Sequence, residues 1–508
     1  MTVMPGNQLS PEPDVLKLVT PRLAVRYGIF PLRIEGDSLV VAMASPEAYE
    51  VIDDLRMVLG MPVMGERAEP NVIAEAIREH YGVGAETLDS LAVNREIEQA
   101  PEQPESTIDD VAAEASIVKF VNQLIVDAYN SRATDIHLEP FENRFRVRYR
   151  IDGILSDAHI PESIRHFRDS ITSRIKIMAN LDIAERRLPQ DGRIKVRIAG
   201  KDFDLRVSII PIAHGESVNI RILQRSSVLM GLEAIGFDPV ALGQFHGLLT
   251  RPHGIIMLTG PTGSGKTTTL YACLSRINDS ERKIITIEDP VEYQIEGICQ
   301  MQAKPDIGFS FASGLRSMLR HDPDVMLVGE IRDFETAELA IRCALTGHLV
   351  FSTLHTNDAP GAMPRLLDIG IESYLLASSV EAVIAQRLVR LVCNNCAQPD
   401  NPKREVLADL PMSQVEFEQA EFRRGAGCEV CRGSGYYGRT AIYEMMVMND
   451  EIRGLVMERA PGSAIKRAAI RNGMTTLRIS GAAKAREGLT TVDEILRVTQ
   501  EDRQAETV

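Results

Sequence analysis

Gly260-Pro261-Thr262-Gly263-Ser264-Gly265-Lys266-Thr267 decides how this chain is read. It satisfies G-x-x-x-x-G-K-[ST], the phosphate-binding loop, and Thr268 follows it. An apolar strand, Gly254–Thr259, is predicted before it and a helix, Thr267–Ile277, after it. That strand–loop–helix setting separates a phosphate loop from a glycine-rich turn that happens to contain Lys-Thr. The glycines let successive N–H groups point at one anion, helped by the helix N-terminus. Lys266 is expected on the β- and γ-phosphates, and the Thr267 hydroxyl on Mg²⁺. The stretch predicts binding of a nucleoside triphosphate.

Downstream, three apolar strands end in polar residues. Lys283–Ile287 leads into Glu288-Asp289, Asp324–Val328 into Gly329-Glu330, and His348–Leu354 into His355. Helices predicted at Ser313–Arg320 and Glu335–Thr346 alternate with them, which implies a parallel sheet. Ligands of such sheets bind beyond the carboxyl ends of the strands, so these groups should converge on Lys266. Glu330 is the expected activator of the attacking water, with Gly329 allowing close approach to the γ-phosphate. Glu288 and Asp289 would hold Mg²⁺ through water or position the nucleotide. His355 would hydrogen-bond the γ-phosphate, its bland alternative being a satisfied core histidine; His348 is a weaker candidate.

Working outward, Cys393-x₂-Cys396 and Cys428-x₂-Cys431 lie 31 residues apart, the spacing of a closed, structural zinc site. Cys273, Cys299 and Cys343 are expected to be buried and inert. Four helices are predicted beyond them: Glu451–Arg459, Ser463–Asn472, Leu477–Glu487 and Thr491–Thr499, with a fraying end. Upstream, Arg144, Arg146, Arg148 and Arg150 alternate with Phe145, Val147 and Tyr149, so a strand would carry the guanidinium groups on one face. Arg144 and Arg146 suit a solvated face. Arg148 and Arg150, with Arg165, Arg174 and Arg193, suggest an anionic partner, a nucleotide phosphate being the obvious one. Pro189–Arg193 reads as a hairpin turn and Lys201–Ile210 as a strand. Between Glu86 and Asp110 eight acidic residues face one basic, the composition of a flexible linker. Before it, Pro31–Met43 predicts two strands around Glu35–Asp37, followed by helices at Glu47–Leu59 and Asn71–Tyr81.

The 508 residues carry a net charge of −15, 44% hydrophobic residues, 5% aromatic residues and no Trp. The charge argues against non-specific nucleic-acid or anionic-lipid binding, and the scarcity of aromatics against a base-stacking platform. No apolar run approaches the about 20 residues of a membrane span, and Met1–Leu18 has no signal-peptide pattern. A soluble, cytosolic protein with reduced thiols is the expectation.

Taken together, GPTGSGKTTT at 260–269, TIEDPVEY at 286–293, LRSMLRHDPDVMLVGEIRD at 315–333 and TGHLVFSTLHTNDA at 346–359 resemble the secretion ATPase superfamily, specifically its type II secretion branch. RYRIDG at 148–153, LDIAERRLPQDGRI at 181–194 and the four cysteines extend the resemblance over nearly the whole chain. It implies an α/β architecture: a RecA-like P-loop NTPase domain preceded by a PAS-like α/β domain, a small N-terminal α/β module and a zinc-binding insert. The implied division is 1–87 docking module, 88–110 linker, 111–228 arginine-bearing domain, 229–392 ATPase core, 393–440 zinc module and 441–508 helical subdomain. It further implies a homohexamer at the cytoplasmic face of the bacterial inner membrane. ATP would lie between the arginine-bearing and P-loop domains, and the N-terminal module would dock on cytoplasmic parts of inner-membrane platform proteins, so that membrane contact is indirect. ATP hydrolysis would then drive pseudopilus assembly and protein export. Arg148 and Arg165 are the arginines expected at phosphate, with Arg316 and Arg320 as further candidates. The "Walker B" segment ends in Gly329-Glu330 without a terminal Asp, which leaves Thr267 as the direct Mg²⁺ ligand. The nearest rival is a type IV pilus assembly ATPase; length and the short N-terminal module favour the secretion branch. A nucleic-acid motor and a non-hydrolysing nucleotide-binding scaffold are the more distant alternatives.

Overall fold

The computed structural model describes residues 9, 11–12, 14–82, 108–224, 230–402, 410, 412 and 414–499. The expected acidic linker lies outside the described residues up to position 107; its last three residues open the helix Ile108–Asn130. The expected fraying end, beyond 499, lies outside them too. Two units are formed, 1–226 and 227–508.

In the first unit, β1 (Ile29–Glu35) and β2 (Ser38–Met43) form the expected hairpin, turning through Gly36 at φ +62°. A third strand, β3 (Val63–Arg67), pairs parallel with β2. Helices Pro21–Tyr27, Tyr49–Leu59 and Pro70–Tyr81 flank the sheet. Leu39 and Val41 pack on one face, Val40 and Ala42 on the other. Burial on both faces is why β2 is continuously apolar instead of alternating.

The same unit holds a six-stranded antiparallel sheet. Its strands are β4 (Ala133–Pro140), β5 (Phe145–Ile151), β6 (Ile154–Asp157), β7 (Gln190–Ile198), β8 (Lys201–Ile212) and β9 (Gly215–Gln224), in the order β6-β5-β4-β9-β8-β7. The alternation in β5 is real: Phe145, Val147 and Tyr149 are buried and the arginines between them are not. Residues 189–193 do not form the expected turn. Gln190–Arg193 begins edge strand β7, and the hairpin turns at Ala199-Gly200 with φ +48° and +77°. Gly192 is there for close approach, since a Cβ would meet Ala179 O at 2.8 Å.

The second unit is built on a seven-stranded sheet: β10 (Gly254–Thr259), β11 (Ile284–Glu288), β12 (Cys299–Gln302), β13 (Val325–Val328), β14 (Leu349–Leu354), β15 (Val380–Val392) and β18 (Tyr436–Val447). Their order is β12-β11-β13-β14-β10-β15-β18, with every pairing parallel except that of β15 with β18. β10, β11, β13 and β14 are buried throughout, as strands covered by helices on both faces must be. β15 and β18 were not foreseen. They form one long antiparallel pair, from whose far end a two-stranded excursion of β16 (Ala397–Pro399) and β17 (Arg423–Gly425) and the cysteine knuckles extend. Tyr436 onward therefore belongs to the core sheet. The four C-terminal helices occur at Asp450–Met457, Gly462–Arg471, Leu477–Arg486 and Val492–Val498, within two residues of expectation at each end.

Candidate nucleotide site and metal centre

β10 delivers the chain to the phosphate loop, and the helix Lys266–Ile277 carries it away. Gly260, Gly263 and Gly265 adopt φ of +145°, +78° and +86°, values that residues bearing a Cβ rarely reach. Pro261, Thr262 and Gly263 are exposed at the tip, Ser264 is buried, Thr267 is half-buried and Thr268 exposed. Lys266 Nζ donates to Gly260 O at 2.7 Å and Pro261 O at 3.1 Å, folding over the loop. Burial lowers its pKa to about 8; Arg387 adds to the depression and Glu330 opposes it. A cation held in a partly desolvated loop is poised for an anion, which would raise its pKa again.

β13 ends at Val328, and Glu330 follows two residues beyond it. Its carboxylate meets Arg332 Nη2 at 2.6 Å and His355 Nε2 at 3.4 Å, and its side chain is 13% exposed. His355 is 51% exposed, so it is not a core histidine. Its loop is fixed to the strand that feeds the phosphate loop: Thr356 N donates to Thr259 Oγ1 at 2.8 Å, and Thr356 Oγ1 donates to Asp358 O at 2.8 Å. Glu330, His355 and Lys266 thus stand at the carboxyl ends of neighbouring strands.

Glu288 faces inward. It is 4% exposed and accepts from Thr286 Oγ1 at 2.6 Å, from Tyr271 OH and from Gln300 Nε2 at 3.3 Å. Burial raises its pKa despite those donors. Asp289, the next residue, is exposed and acts electrostatically on Arg332. Gly329 is tight against β11, where a Cβ would lie 3.3 Å from both Glu288 Cα and Ile287 O. Strand packing alone thus accounts for a glycine there. His348 is at the other end of β14, its Nδ1 2.8 Å from Cys343 O. Six strand residues, at about 3.3 Å each, put it roughly 20 Å from the crevice.

The strand-borne arginines find acidic partners inside their own sheet. Arg146 pairs with Asp157, Nη2 to Oδ2 at 3.0 Å; Arg148 grips Glu139 through two bonds of 2.9 and 2.6 Å; Arg150 lies 3.8 Å from Asp135. An external anion is therefore not required to account for them. Arg165 and Arg193 are exposed. Arg316 pairs with Glu335, and Arg320 donates to Arg316 O at 2.9 Å.

Arg332 and Arg387 escaped the sequence reading. Arg332 was legible in the spacing Glu330-x-Arg332. Arg387, on β15, donates through Nη2 to Asn357 O and Oδ1, both at 3.3 Å, and burial lowers its pKa. Only the fold places it beside the His355 loop.

The four knuckle cysteines come together. Cys393–Cys428 and Cys396–Cys431 Sγ atoms are 3.8 Å apart, and Cys428–Cys431 3.6 Å. Four thiolates at about 2.3 Å from a tetrahedral zinc stand about 3.8 Å apart, so the donor set fits that ion. Cys428 N and Gly435 N donate to Cys431 Sγ at 3.1 and 3.3 Å, and Asn395 Nδ2 donates to Cys428 Sγ at 3.3 Å. Cys273 and Cys343 are buried as expected, but Cys299 is exposed: it opens the short edge strand β12.

Comparison with known proteins defines the class. The type II/IV secretion system protein family matches residues 110–497 and the MshEN domain residues 2–87. Type II secretion system protein E of Xanthomonas campestris is 45% identical over 97% of this chain and 86% of its own length. The type IV pilus assembly ATPase PilB of Myxococcus xanthus is 44% identical over 97% of this chain and 88% of its own. Among solved structures, the pilus retraction motor PilT with bound ADP aligns at TM-score 0.50 and 25% identity, covering 76% of this chain and 98% of that one. The chain belongs to the type II/IV secretion system protein family, and within it to the ATPases. No helix among the described residues is long and apolar enough to cross a membrane.

Proposed function

We propose that this protein hydrolyses ATP at the crevice of Lys266, Glu330 and His355, as a subunit of a homohexamer driving pseudopilus assembly and protein export in type II secretion. The observation that carries the reading is Glu330 fixed between Arg332 and His355 at the strand end beside the phosphate loop. A carboxylate so held can orient and polarise a water for in-line attack, while Lys266 and the backbone N–H groups of the loop 260–268, all but that of Pro261, neutralise the phosphates. The Thr267 hydroxyl and the exposed Asp289 offer oxygen donors suited to Mg²⁺, which would shield the developing phosphate charge. Glu288 supports Asp289 from the core. Arg148 and Arg165 are assigned to phosphate contact on assembly, Arg148 exchanging Glu139 for the anion. Cys393, Cys396, Cys428 and Cys431 would hold a structural Zn²⁺, with no open position for a substrate. Residues 1–87 are assigned to docking on the cytoplasmic parts of inner-membrane platform proteins, so the enzyme would sit peripherally on the cytoplasmic face.

The similarity to the Myxococcus pilus assembly ATPase, nearly equal in identity and coverage, keeps pilus assembly as the second reading. ATPase rate against protein concentration tests the motor, for wild type and Glu330→Gln, with and without a platform protein's cytoplasmic domain. A rate that climbs steeply with concentration or partner, and is lost in Glu330→Gln, is expected. A concentration-independent rate that survives Glu330→Gln would refute both the catalytic assignment and the assembly requirement. Stimulation by a pilus rather than a secretion platform domain would decide for the second reading.

A further inference from the structure

We propose that Gln386, on β15, is a positioning residue that holds the phosphate loop in its anion-binding shape and sets nucleotide affinity without touching nucleotide. This rests on residues 260–267 being the nucleotide site. β15 runs parallel to β10 with Ala385 beside Thr259, so Gln386 falls where β10 gives way to the loop. The side chain is 1% exposed, and both ends of its amide are used. Nε2 donates to Ser264 O at 2.8 Å, and Oε1 accepts from Thr269 Oγ1 at 2.9 Å. Thr269, itself 1% exposed, stands in the first turn of the following helix. One amide therefore ties the loop to the helix that completes the anion site.

The consequence follows from peptide geometry. In a planar trans peptide the C=O and the N–H that share it point in opposite directions. Drawing the Ser264 carbonyl toward β15 turns the Gly265 N–H away from β15. Gln386 also occupies the space that side chains on the loop would need. A Cβ on Gly260 would lie 2.5 Å from Gln386 O, and one on Gly265 2.7 Å from Nε2. The first and last glycines of the loop are thus required by this neighbour as well as by their positive φ. Only a side chain with one donor and one acceptor at this reach serves: Leu offers neither, and an ionised Glu lacks the donor.

The test is equilibrium binding of a fluorescent ADP analogue to the full chain for wild type, Gln386→Leu, Gln386→Glu and, as site control, Lys266→Ala, each also assayed for kcat and KM. Gln386→Leu should weaken binding roughly tenfold, raising KM while kcat at saturation changes less. Gln386→Glu should bind as weakly at pH 8.5 and recover toward wild type by pH 6, because a protonated carboxyl again donates to Ser264 O. Affinities are taken relative to wild type at each pH. Lys266 beyond Gly265 and Tyr443 opposite on β18 are present in both proteins, so their own titration cancels. Near-wild-type binding by both Gln386 variants, with binding lost in Lys266→Ala, would overturn the role of Gln386 and leave the site standing. Affinity loss in Gln386→Glu that ignores pH would overturn it too, as general damage to the fold. Undiminished binding by Lys266→Ala would overturn the site itself.

Discussion

Glu444→Gln should abolish a pH-dependent component of stability in the second unit. Glu444 lies on β18 opposite Ala385 and is 1% exposed. Its Oε1 accepts from Ala359 N at 2.8 Å and its Oε2 from Leu477 N at 3.3 Å. It therefore ties the loop after His355 to the helix Leu477–Arg486. Burial is the largest influence on it, raising the pKa from 4.5 to about 7; Asp358 adds to that, while the two backbone donors and Lys466 oppose it. The native state thus holds a proton that the unfolded chain releases between those values. The stabilisation is complete below about pH 4.5, declines as pH rises toward 7 and is gone above it. At 1.36 kcal/mol per pH unit the full span is about 3 kcal/mol. For a unit of this size, at about 2 °C per kcal/mol, that is roughly 6 °C in Tm. The variant has one carbonyl oxygen for two N–H groups, so it starts about 1 kcal/mol lower at acidic pH. The informative quantity is the wild-type-minus-variant difference in Tm from pH 5 to 8.5, since every other titrating group is common to both. That difference should shrink and reverse sign as pH rises. A constant difference across the range would refute the argument.

The knuckle cysteines should bind one equivalent of zinc per chain, measured by metal analysis of protein purified without added metal; Cys428→Ser should lose it and unfold at lower temperature. His355→Ala should lower kcat at least tenfold while nucleotide affinity, read by direct binding, stays within about threefold, because the histidine acts on Glu330 and not on the loop. Arg148→Ala and Arg165→Ala should both reduce turnover in the assembled enzyme. Arg148→Ala alone should also cost about 1–2 kcal/mol in denaturant titration, since it strands the half-buried Glu139.

What the sequence disclosed and what it hid divide along one physical line. A phosphate loop is legible because its chemistry is local: three glycines, a lysine and a threonine act on an anion through backbone that lies within eight residues of itself. The cysteine knuckles are legible for the same reason, each bringing two cysteines from one turn to a common cluster. Arg148 hid its partner for the opposite reason. Its alternation with Val147 and Tyr149 correctly predicted which face it occupies, but its partner, Glu139, sits across the hairpin on β4, and pairing across strands leaves no trace in a single segment's pattern. Residues 189–193 misled through a distant contact too: Pro-Gln-Asp-Gly has turn chemistry, yet Gly192 answers to Ala179, which follows the helix Arg168–Met178. β15 is the most instructive case. Its run from Val380 to Val392 carries no motif, so nothing in it announces Gln386, Arg387 or the boundary of Cys393. Once the parallel pairing with β10 is formed, the same strand places Gln386 on the phosphate loop and Arg387 beside Asn357, and it ends one residue before Cys393, the first of the clustered cysteines. One continuous strand therefore runs from the phosphate loop to the cysteine cluster, and neither end of it is legible in the strand's own sequence.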